Sequence, residues 1–343
     1  MADGPGPEHP AQIADPIIIL PYLGYGTSQK VVIRGRVLED EGFRPSADAD
    51  GRWRNLIRFS KRLESDEVPG ARLRAGHKEA VTDREGYFRL ELKGSFKPGW
   101  NEVEVELLHP MPARTTAHSF VPAQEARFGL ISDIDDTVVT SNVTSKVKMI
   151  ITVALTNART RKPFKGVAAF YRALHAGVNP VFYVSKSPWN LYAPIVEYLA
   201  LQGLPPGPVM LRDFGFRPDK EHKRITIEEI LATYPHLDFL LSGDSGEQDP
   251  EIYADIVRRF PDRVRAIYIR SVNRKRISEI QELAIEVAKT GCQLVLAEDA
   301  ETAAVHAAAE GLIQASDLRA VRSDRESDEK SASKPATSSG GLK

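Results

Sequence analysis

Apolar and polar residues alternate with two different periods along the chain, and the period changes near residue 112. Up to that point it is two. Val103, Val105 and Leu107 alternate with glutamates, the pattern of a strand with one buried and one solvated face. The segment around Phe88 repeats the pattern after a glycine-containing turn. Several such strands predict a small antiparallel β-sandwich, Ig-like or transthyretin-like, over residues 28–112.

Beyond a proline-containing linker at 111–114, short apolar runs alternate with segments of helical period. The strand-like runs lie at 128–132, 181–185, 209–211, 239–243, 266–269 and 293–296. The helical segments lie at about 165–176, 188–202, 222–233, 250–260, 276–290 and 300–313. Asp249 and Pro250 fit the cap and first turn of a helix. This alternation predicts an α/β fold with a mainly parallel sheet over residues 113–315.

The two ends of the chain lack either period. Residues 1–27 are rich in proline and glycine and predict an extended, partly disordered segment. Residues 316–343 are rich in serine, lysine and aspartate without periodicity, which predicts a disordered tail.

Composition narrows the class of protein. The 343 residues are 42% hydrophobic and 27% charged, typical of a soluble globular protein with room for two domains. A formal net charge of −1 gives no reason to expect a nucleic-acid partner. The single cysteine, Cys292, excludes an internal disulfide framework. Without a signal-like or membrane-spanning apolar run, we expect a cytoplasmic protein.

Four polar motifs follow successive strands of the α/β region. Carboxyl ends of parallel strands meet at one edge of a sheet, where α/β proteins bind ligands. The carboxylates that end the first run repel one another and predict a hard divalent cation such as Mg²⁺. Each motif alone also has a purely structural explanation. The aspartates could form an acidic turn after a strand, Ser185 could be a cap, and Lys223 could be a solvated helix residue. In chain order they are Asp133-x-Asp135-x-Thr137, Ser185, Lys223, and the segment from Asp244 to Asp249.

Over residues 126–273 these motifs resemble the haloacid-dehalogenase-like phosphotransferases. The resemblance implies a Rossmann-like parallel sheet, with Asp133 as the nucleophile that forms an aspartyl-phosphate. It implies that Asp135 protonates the leaving alkoxide and then activates water. Thr137 would hold the loop that carries Asp135.

The same resemblance implies the remaining site residues. Ser185 would donate a hydrogen bond to a phosphoryl oxygen, and Lys223 would neutralise the transferring group. Mg²⁺ would bind Asp133, the backbone carbonyl of Asp135 and Asp244. Asp249 would act in the outer shell of the metal or orient Lys223. Lys220 is the competing phosphate-binding lysine, although the helical apolar spacing that follows favours Lys223.

The motifs also resemble a narrower family, the actin-patch-associated phosphatidate phosphatases. The matching segments are DIDDT at 133–137, SKSPWNLY at 185–192, HKR at 222–224, GDSGEQDPEIY at 243–253 and PYLGYG at 21–26, the last as in bacterial members. The resemblance implies Mg²⁺-dependent hydrolysis of phosphatidate, or a related lipid phosphate, to diacylglycerol. A phosphatase of soluble metabolites or nucleic-acid ends, and a non-catalytic membrane or cytoskeletal adaptor, are the alternatives.

A segment just beyond the nucleophile predicts a cap insert at about 141–165. Residues 143–165 combine an apolar stretch with flanking cations, which suits peripheral contact with an anionic membrane. The alternative is a cap helix whose apolar side chains simply pack on the sheet.

Overall fold

The structure is a computed structural model that describes residues 16–39, 67–134, 166–212 and 221–332. The described strands form two sheets. The strands are β1 (Ile17–Pro21), β2 (Gly24–Thr27), β3 (Lys30–Glu39), β4 (Arg72–Ala75), β5 (Lys78–Val81), β6 (Tyr87–Lys93), β7 (Gly99–His109), β8 (Ala113–Val121), β9 (Gly129–Asp133), β10 (Val181–Pro188), β11 (Val209–Arg212), β12 (Phe239–Asp244), β13 (Val264–Arg270) and β14 (Gln293–Ala297).

The first sheet is mixed and runs in the order β1-β3-β2-β8-β7-β4-β5, with β6 also paired to β3. Its pairings are antiparallel except for the parallel contact between β2 and β8. Apolar side chains from six strands share one core, among them Ile33, Leu73 and Val105. The period-two pattern of the sequence therefore marks a sheet with a buried inner face.

The linker predicted at 111–114 is wrong. These residues enter the turn between β7 and β8, and β8 pairs with β7 from Ala113 to Val121. The prolines end one strand without ending the sheet. Thr115 and Thr116 are β-branched, and Phe120 and Val121 are buried, so the segment suits a strand.

The second sheet is entirely parallel and runs in the order β11-β10-β9-β12-β13-β14. Its first strand, β9, lies in the middle, so the chain winds outward in both directions and the strand order reverses between β9 and β12. Ligands bind at such a reversal in open α/β sheets. The described helices are α1 (Val167–His175), α2 (Tyr192–Leu201), α3 (His222–Thr233), α4 (Asp249–Arg259), α5 (Ile277–Ala288), α6 (Ala300–Ala309) and α7 (Asp317–Ala332).

Two apolar clusters cover the parallel sheet. One joins α1, α2 and α6 to the strands, and the other joins α3, α4 and α5 to them. An α/β protein with a parallel sheet is therefore confirmed. Among the described helices, none combines the length and apolar character required to cross a bilayer.

The segment between β1 and β2 joins the two sheets. Tyr22 stacks on Trp189 with ring centroids 5.1 Å apart and on Tyr192 with centroids 3.9 Å apart. The Leu23 amide donates a 2.7 Å hydrogen bond to the Tyr192 hydroxyl. Because these groups are buried, the contact belongs to the interior of the molecule.

The disordered tail predicted over 316–343 is wrong for Asp317–Ala332, which forms α7. The Gly166 amide donates to Asp328 Oδ2 (2.9 Å), and the Ala169 amide donates to Asp324 Oδ2 (3.2 Å). These amides begin α1, which has no side-chain cap of its own. The polar composition of α7 thus serves a contact with a distant helix end.

Candidate active site

Asp133 ends β9 at the reversal point of the parallel sheet. Register pairs Asp133 with Val184 of β10 and Ser132 with Ser242 of β12. The carboxyl ends of these three strands therefore bring Asp133, Ser185 and the segment after Ser242 to one edge, as parallel pairing requires.

A buried lysine joins this edge to the helices. Lys223 is the second residue of α3, and its side chain is fully buried. Its Nζ lies 2.8 Å from Asp133 Oδ1, 2.5 Å from Asp249 Oδ1 and 3.5 Å from Glu247 Oε2. A buried ammonium is stable only when carboxylates or other acceptors surround it. The three carboxylates provide that environment.

The Asp249 carboxylate does not cap α4, contrary to the sequence prediction. Its Oδ2 accepts a 3.1 Å hydrogen bond from the Asp244 amide, while Oδ1 faces Lys223. The helix has Gln248 as its N-cap, without a side-chain cap hydrogen bond. A Cβ on Gly243 would lie 2.3 Å from Asp249 Oδ2, so glycine leaves room for this carboxylate.

Asp244 is buried beside Asp249 but faces other groups. Its Oδ1 accepts from the amides of Gly246 (2.6 Å) and Glu247 (3.3 Å). Its Oδ2 lies 3.8 Å from Arg270 Nη2. The carboxylate thus holds the loop after β12 in a turn.

Glu247 is an acidic member of the site to which the sequence analysis gave no role. Its Oε2 accepts a 2.7 Å hydrogen bond from Lys186 Nζ. Burial alone would raise the pKa of the Glu247 carboxyl. The Lys186 hydrogen bond and the charges of Lys223 and Lys186 outweigh burial and lower that pKa below its ordinary value.

Carboxylate oxygens of Asp133, Glu247 and Asp249 lie within 4.8 Å of one another. Oxygen donors of this kind suit a hard divalent cation, so the cluster could hold a metal ion. Lys223 faces the same three carboxylates. Asp244 belongs to the neighbouring loop network, and its predicted role as a metal ligand stays a prediction.

Ser185 is buried within β10, three residues before the strand ends at Pro188, and its Oγ accepts a 2.9 Å hydrogen bond from the Ser187 amide. The hydroxyl thus forms a hydrogen bond within the last residues of β10, directly before Trp189. Lys186, between the two serines, extends to Glu247.

Hydroxyl groups support the edge from beneath. The Tyr171 hydroxyl lies 2.8 Å from Ser132 Oγ and donates a 2.8 Å hydrogen bond to Ser242 Oγ. The Tyr253 hydroxyl donates to the Ser242 carbonyl oxygen (3.0 Å). These contacts tie α1 and α4 to the two strands at the reversal point, which fixes the position of Asp133.

A second set of contacts holds the loop after β12. Ser245 Oγ accepts from the amides of Val272 and Asn273, both at 2.9 Å. Arg276 Nη1 donates to the carbonyl oxygens of Ser245 (3.2 Å) and Glu247 (2.5 Å). The loop is therefore held to the segment after β13 by hydrogen bonds between side chains and backbone groups.

Several predicted positions lie outside the described residues. They are Asp135, Thr137, Lys220 and the cap insert at about 141–165.

Of the other predicted site residues, the structure gathers Asp133, Lys223 and Asp249 into direct contact. It adds Glu247, Lys186, Tyr171 and Arg276, which sequence reasoning missed. The position of Glu247 inside the GDSGEQD segment, between two predicted site residues, was the sequence feature that could have indicated it.

Comparison with known proteins agrees with these motifs. Residues 128–271 match the model of the family described as "Phosphatidate phosphatase APP1, catalytic domain". Phosphatidate phosphatase APP1 of Saccharomyces cerevisiae is 34% identical over 151 residues, which cover 41% of this chain and 25% of the yeast protein. An uncharacterized protein of Schizosaccharomyces pombe is 28% identical over 206 residues, covering 56% of this chain and 34% of that protein.

The chain thus spans a quarter to a third of the length of these curated relatives. The matches support the sequence prediction of a phosphoric monoester hydrolase. Among solved structures, a PilB minor pilin mutant from Streptococcus sanguinis has a TM-score of 0.26 at 10% identity, covering 78% of this chain and 90% of its own. A similarity this low does not indicate a shared fold.

Proposed function

We propose that the protein is a phosphatase that hydrolyses a phosphomonoester through an aspartyl-phosphate on Asp133. The observation that carries this proposal is the contact of buried Lys223 with Asp133 and Asp249 at the reversal point of the parallel sheet. An ionised carboxylate beside a fixed ammonium suits attack on a phosphoryl group, because the ammonium offsets the charge of the incoming phosphate.

The proposed reaction has two steps at the phosphorus atom. Asp133 Oδ attacks phosphorus, the bond to the alkoxide oxygen breaks, and Asp135 gives its proton to that oxygen. Water then attacks the phosphorus of the aspartyl-phosphate and passes a proton to Asp135, which releases phosphate and regenerates Asp133. Ser185 and Lys223 would bind phosphoryl oxygens, and Thr137 would orient Asp135.

Charge balance supports a divalent cation in this site. Asp133, Glu247 and Asp249 carry three negative charges, while Lys223 and Lys186 carry two positive charges. A phosphate dianion would add two more negative charges to a site that is already negative. We propose Mg²⁺, held by Asp133, the backbone carbonyl of Asp135 and Asp244, with Asp249 in the outer shell or orienting Lys223. When bound, it would offset the charge of the phosphate.

Phosphatidate, or a related lipid phosphate, is the proposed substrate, and diacylglycerol would then be the product. The support is the family match over 128–271 and the similarity to the yeast phosphatidate phosphatase. We further propose a cytoplasmic protein that meets membranes peripherally through 143–165. Because β8 belongs to the mixed sheet as far as Val121, the domain division predicted near residue 112 would instead lie beyond that strand.

The parallel sheet is proposed to be of the haloacid-dehalogenase type. In chain order within that sheet, the strands lie 3-2-1-4-5-6, an order in which ligands bind where the winding reverses. Asp133 ends the first of these strands, where that superfamily would place its nucleophile. The mixed sheet is proposed to be a sandwich-like accessory domain.

Phosphate release from a substrate panel tests the function. The panel contains phosphatidate vesicles, sugar phosphates and 3′-phosphorylated oligonucleotides, each with Mg²⁺ or with EDTA. We expect release from phosphatidate with Mg²⁺ and loss of release with EDTA. Preference for a soluble ester would reassign the substrate, and no release from any member would contradict the proposed enzyme.

A further inference from the structure

A cavity lies between the mixed sheet and the parallel sheet, away from the Lys223 cluster. Its volume is about 440 Å³. We name it the arginine–tryptophan pocket. The lining residues that define it are Tyr22, Arg34, Tyr87, Arg89, Trp189 and Arg212.

The pocket opens on the edge of the parallel sheet that carries the candidate active site. Arg212 ends β11 and lies opposite Pro188 at the end of β10. Trp189 follows directly and stacks against Tyr22 with an interplanar angle of 2°. A ligand here would therefore lie at the same carboxyl edge of the parallel sheet as Ser185, on the side of β10 that pairs with β11.

Two arginines lie directly opposite each other on neighbouring strands of the mixed sheet. Arg34 of β3 pairs directly with Arg89 of β6 in an antiparallel register. Like charges in directly opposite positions destabilise a sheet. Arg89 has Glu91 at 3.6 Å. Within the described ranges, no carboxylate lies within salt-bridge distance of the Arg34 guanidinium.

The Arg34 side chain is held in place by an aromatic ring. Its Cζ lies 5.6 Å from the centroid of the Trp189 ring. Its Nε is buried, and no described residue forms a hydrogen bond with it. Burying a donor of a charged group without an acceptor costs free energy. An anionic ligand would supply the missing acceptor.

The acidic residues of the pocket wall are engaged elsewhere. Asp83 Oδ1 accepts from the amides of Glu85 (3.0 Å) and Tyr87 (2.9 Å). Glu85 Oε2 lies 3.8 Å from Arg36 Nη2. Neither carboxylate compensates Arg34, so the pocket keeps an excess of positive charge.

We propose that the arginine–tryptophan pocket binds the phosphate group of a second ligand. Arg34, Arg89 and Arg212 would meet the phosphate oxygens, because guanidinium groups match phosphate in geometry and charge. The rings of Trp189 and Tyr22 would pack against an apolar portion of the ligand. This site is separate from the phosphomonoester site at Asp133.

Titration calorimetry on the full chain tests the pocket with two probes. Short-chain phosphatidylglycerol, a phosphodiester lipid below its micelle concentration, represents the lipid source. Inorganic phosphate represents the free anion. We expect the lipid probe to bind and Arg34→Gln to weaken it about tenfold or more, the scale of a charge-assisted hydrogen bond. Arg72→Gln, on β4 of the same sheet, removes an equal charge outside the pocket and should leave the affinity unchanged.

Arg89→Gln repeats the test from an exposed position and keeps it decisive if Arg34→Gln does not fold. In ligand-free buffer, removing either charge should keep or raise the Tm, since it relieves the opposed pair. Binding of inorganic phosphate alone, with the same dependence on Arg34 or Arg89, would identify the occupant as a free anion. Equal affinities in all variants, or binding of neither probe, would overturn the proposal.

Discussion

At the scale of single residues, Lys223 holds the candidate active site together. Its ammonium faces three carboxylates and is fully buried. We expect Lys223→Met to lower the free energy of unfolding by about 3–5 kcal/mol, because it leaves buried carboxylates uncompensated. Urea titration measures this effect. Arg224→Met, the next position on the same helix, removes two partly exposed ion pairs, with Glu221 and Glu228, and should cost at most about 1 kcal/mol.

A double-mutant cycle separates charge from packing at this residue. Adding Asp249→Asn to Lys223→Met removes one of the stranded charges. The double variant should recover about 0.5–3 kcal/mol relative to the sum of the single changes. Strict additivity of the two changes would show that the Lys223–Asp249 contact contributes nothing to the fold.

The lowered pKa of Glu247 makes the free energy of unfolding depend on pH in the acid range. Burial opposes the lowered pKa, but Lys186 and Lys223 set its direction. A carboxyl with a lowered folded pKa stabilises the fold above its ordinary value of 4.5 and loses that contribution as the pH falls through the folded pKa. We therefore expect the free energy of unfolding of Glu247→Gln to fall less steeply below pH 4.5 than that of the wild type. Parallel acid profiles would contradict this assignment.

At the scale of elements, α7 caps α1 from a distance. The Gly166 and Ala169 amides donate to Asp328 and Asp324. We expect Asp328→Ala to destabilise the protein by about 1 kcal/mol, as the loss of a helix cap does, with a lower Tm in thermal unfolding. Glu326→Ala, at an exposed position of the same helix, is the matched control. An equal Tm change in both variants would exclude capping.

The elements also show how far a sequence pattern reaches. Helix α3 was predicted with its observed bounds, because Ile227, Ile230 and Leu231 follow helical spacing and are all buried. Helix α7 was missed because it has few apolar residues and makes its contacts through charged side chains and backbone amides remote in sequence. Only the folded chain brings such partners together.

The candidate active site, like the helices, could be predicted from the sequence only in part. Asp133 and Asp249 could be predicted because each follows a buried strand of the parallel sheet. The contacts of Glu247 could not be predicted, since they depend on Lys186 and Lys223, which come from other elements of the fold. The local sequence pattern predicts which residues reach the carboxyl edge of the parallel sheet, but it does not predict which of their side chains are in contact.

At the scale of the whole molecule, buried tyrosines connect the sheets and helices. Burial raises the pKa of Tyr22, Tyr183, Tyr234 and Tyr253 well above the ordinary value of 10.0. A raised folded pKa stabilises the fold fully below that ordinary value, and the contribution is lost as the pH rises toward the folded pKa. We expect the free energy of unfolding to fall above pH 10, with tyrosine ionisation and unfolding observed together by absorbance and circular dichroism. Ionisation of all tyrosines before unfolding would contradict this burial.

The central claim is that Asp133 attacks phosphorus, and its most direct measurement is phosphate release by Asp133→Asn. Asparagine keeps the size of the side chain and an oxygen that can face Lys223, but it lacks the ionised nucleophile. With phosphatidate vesicles and Mg²⁺, we expect the variant to release no phosphate while its circular dichroism spectrum and cooperative unfolding match those of the wild type. Release at the wild-type rate by the folded variant would contradict the mechanism.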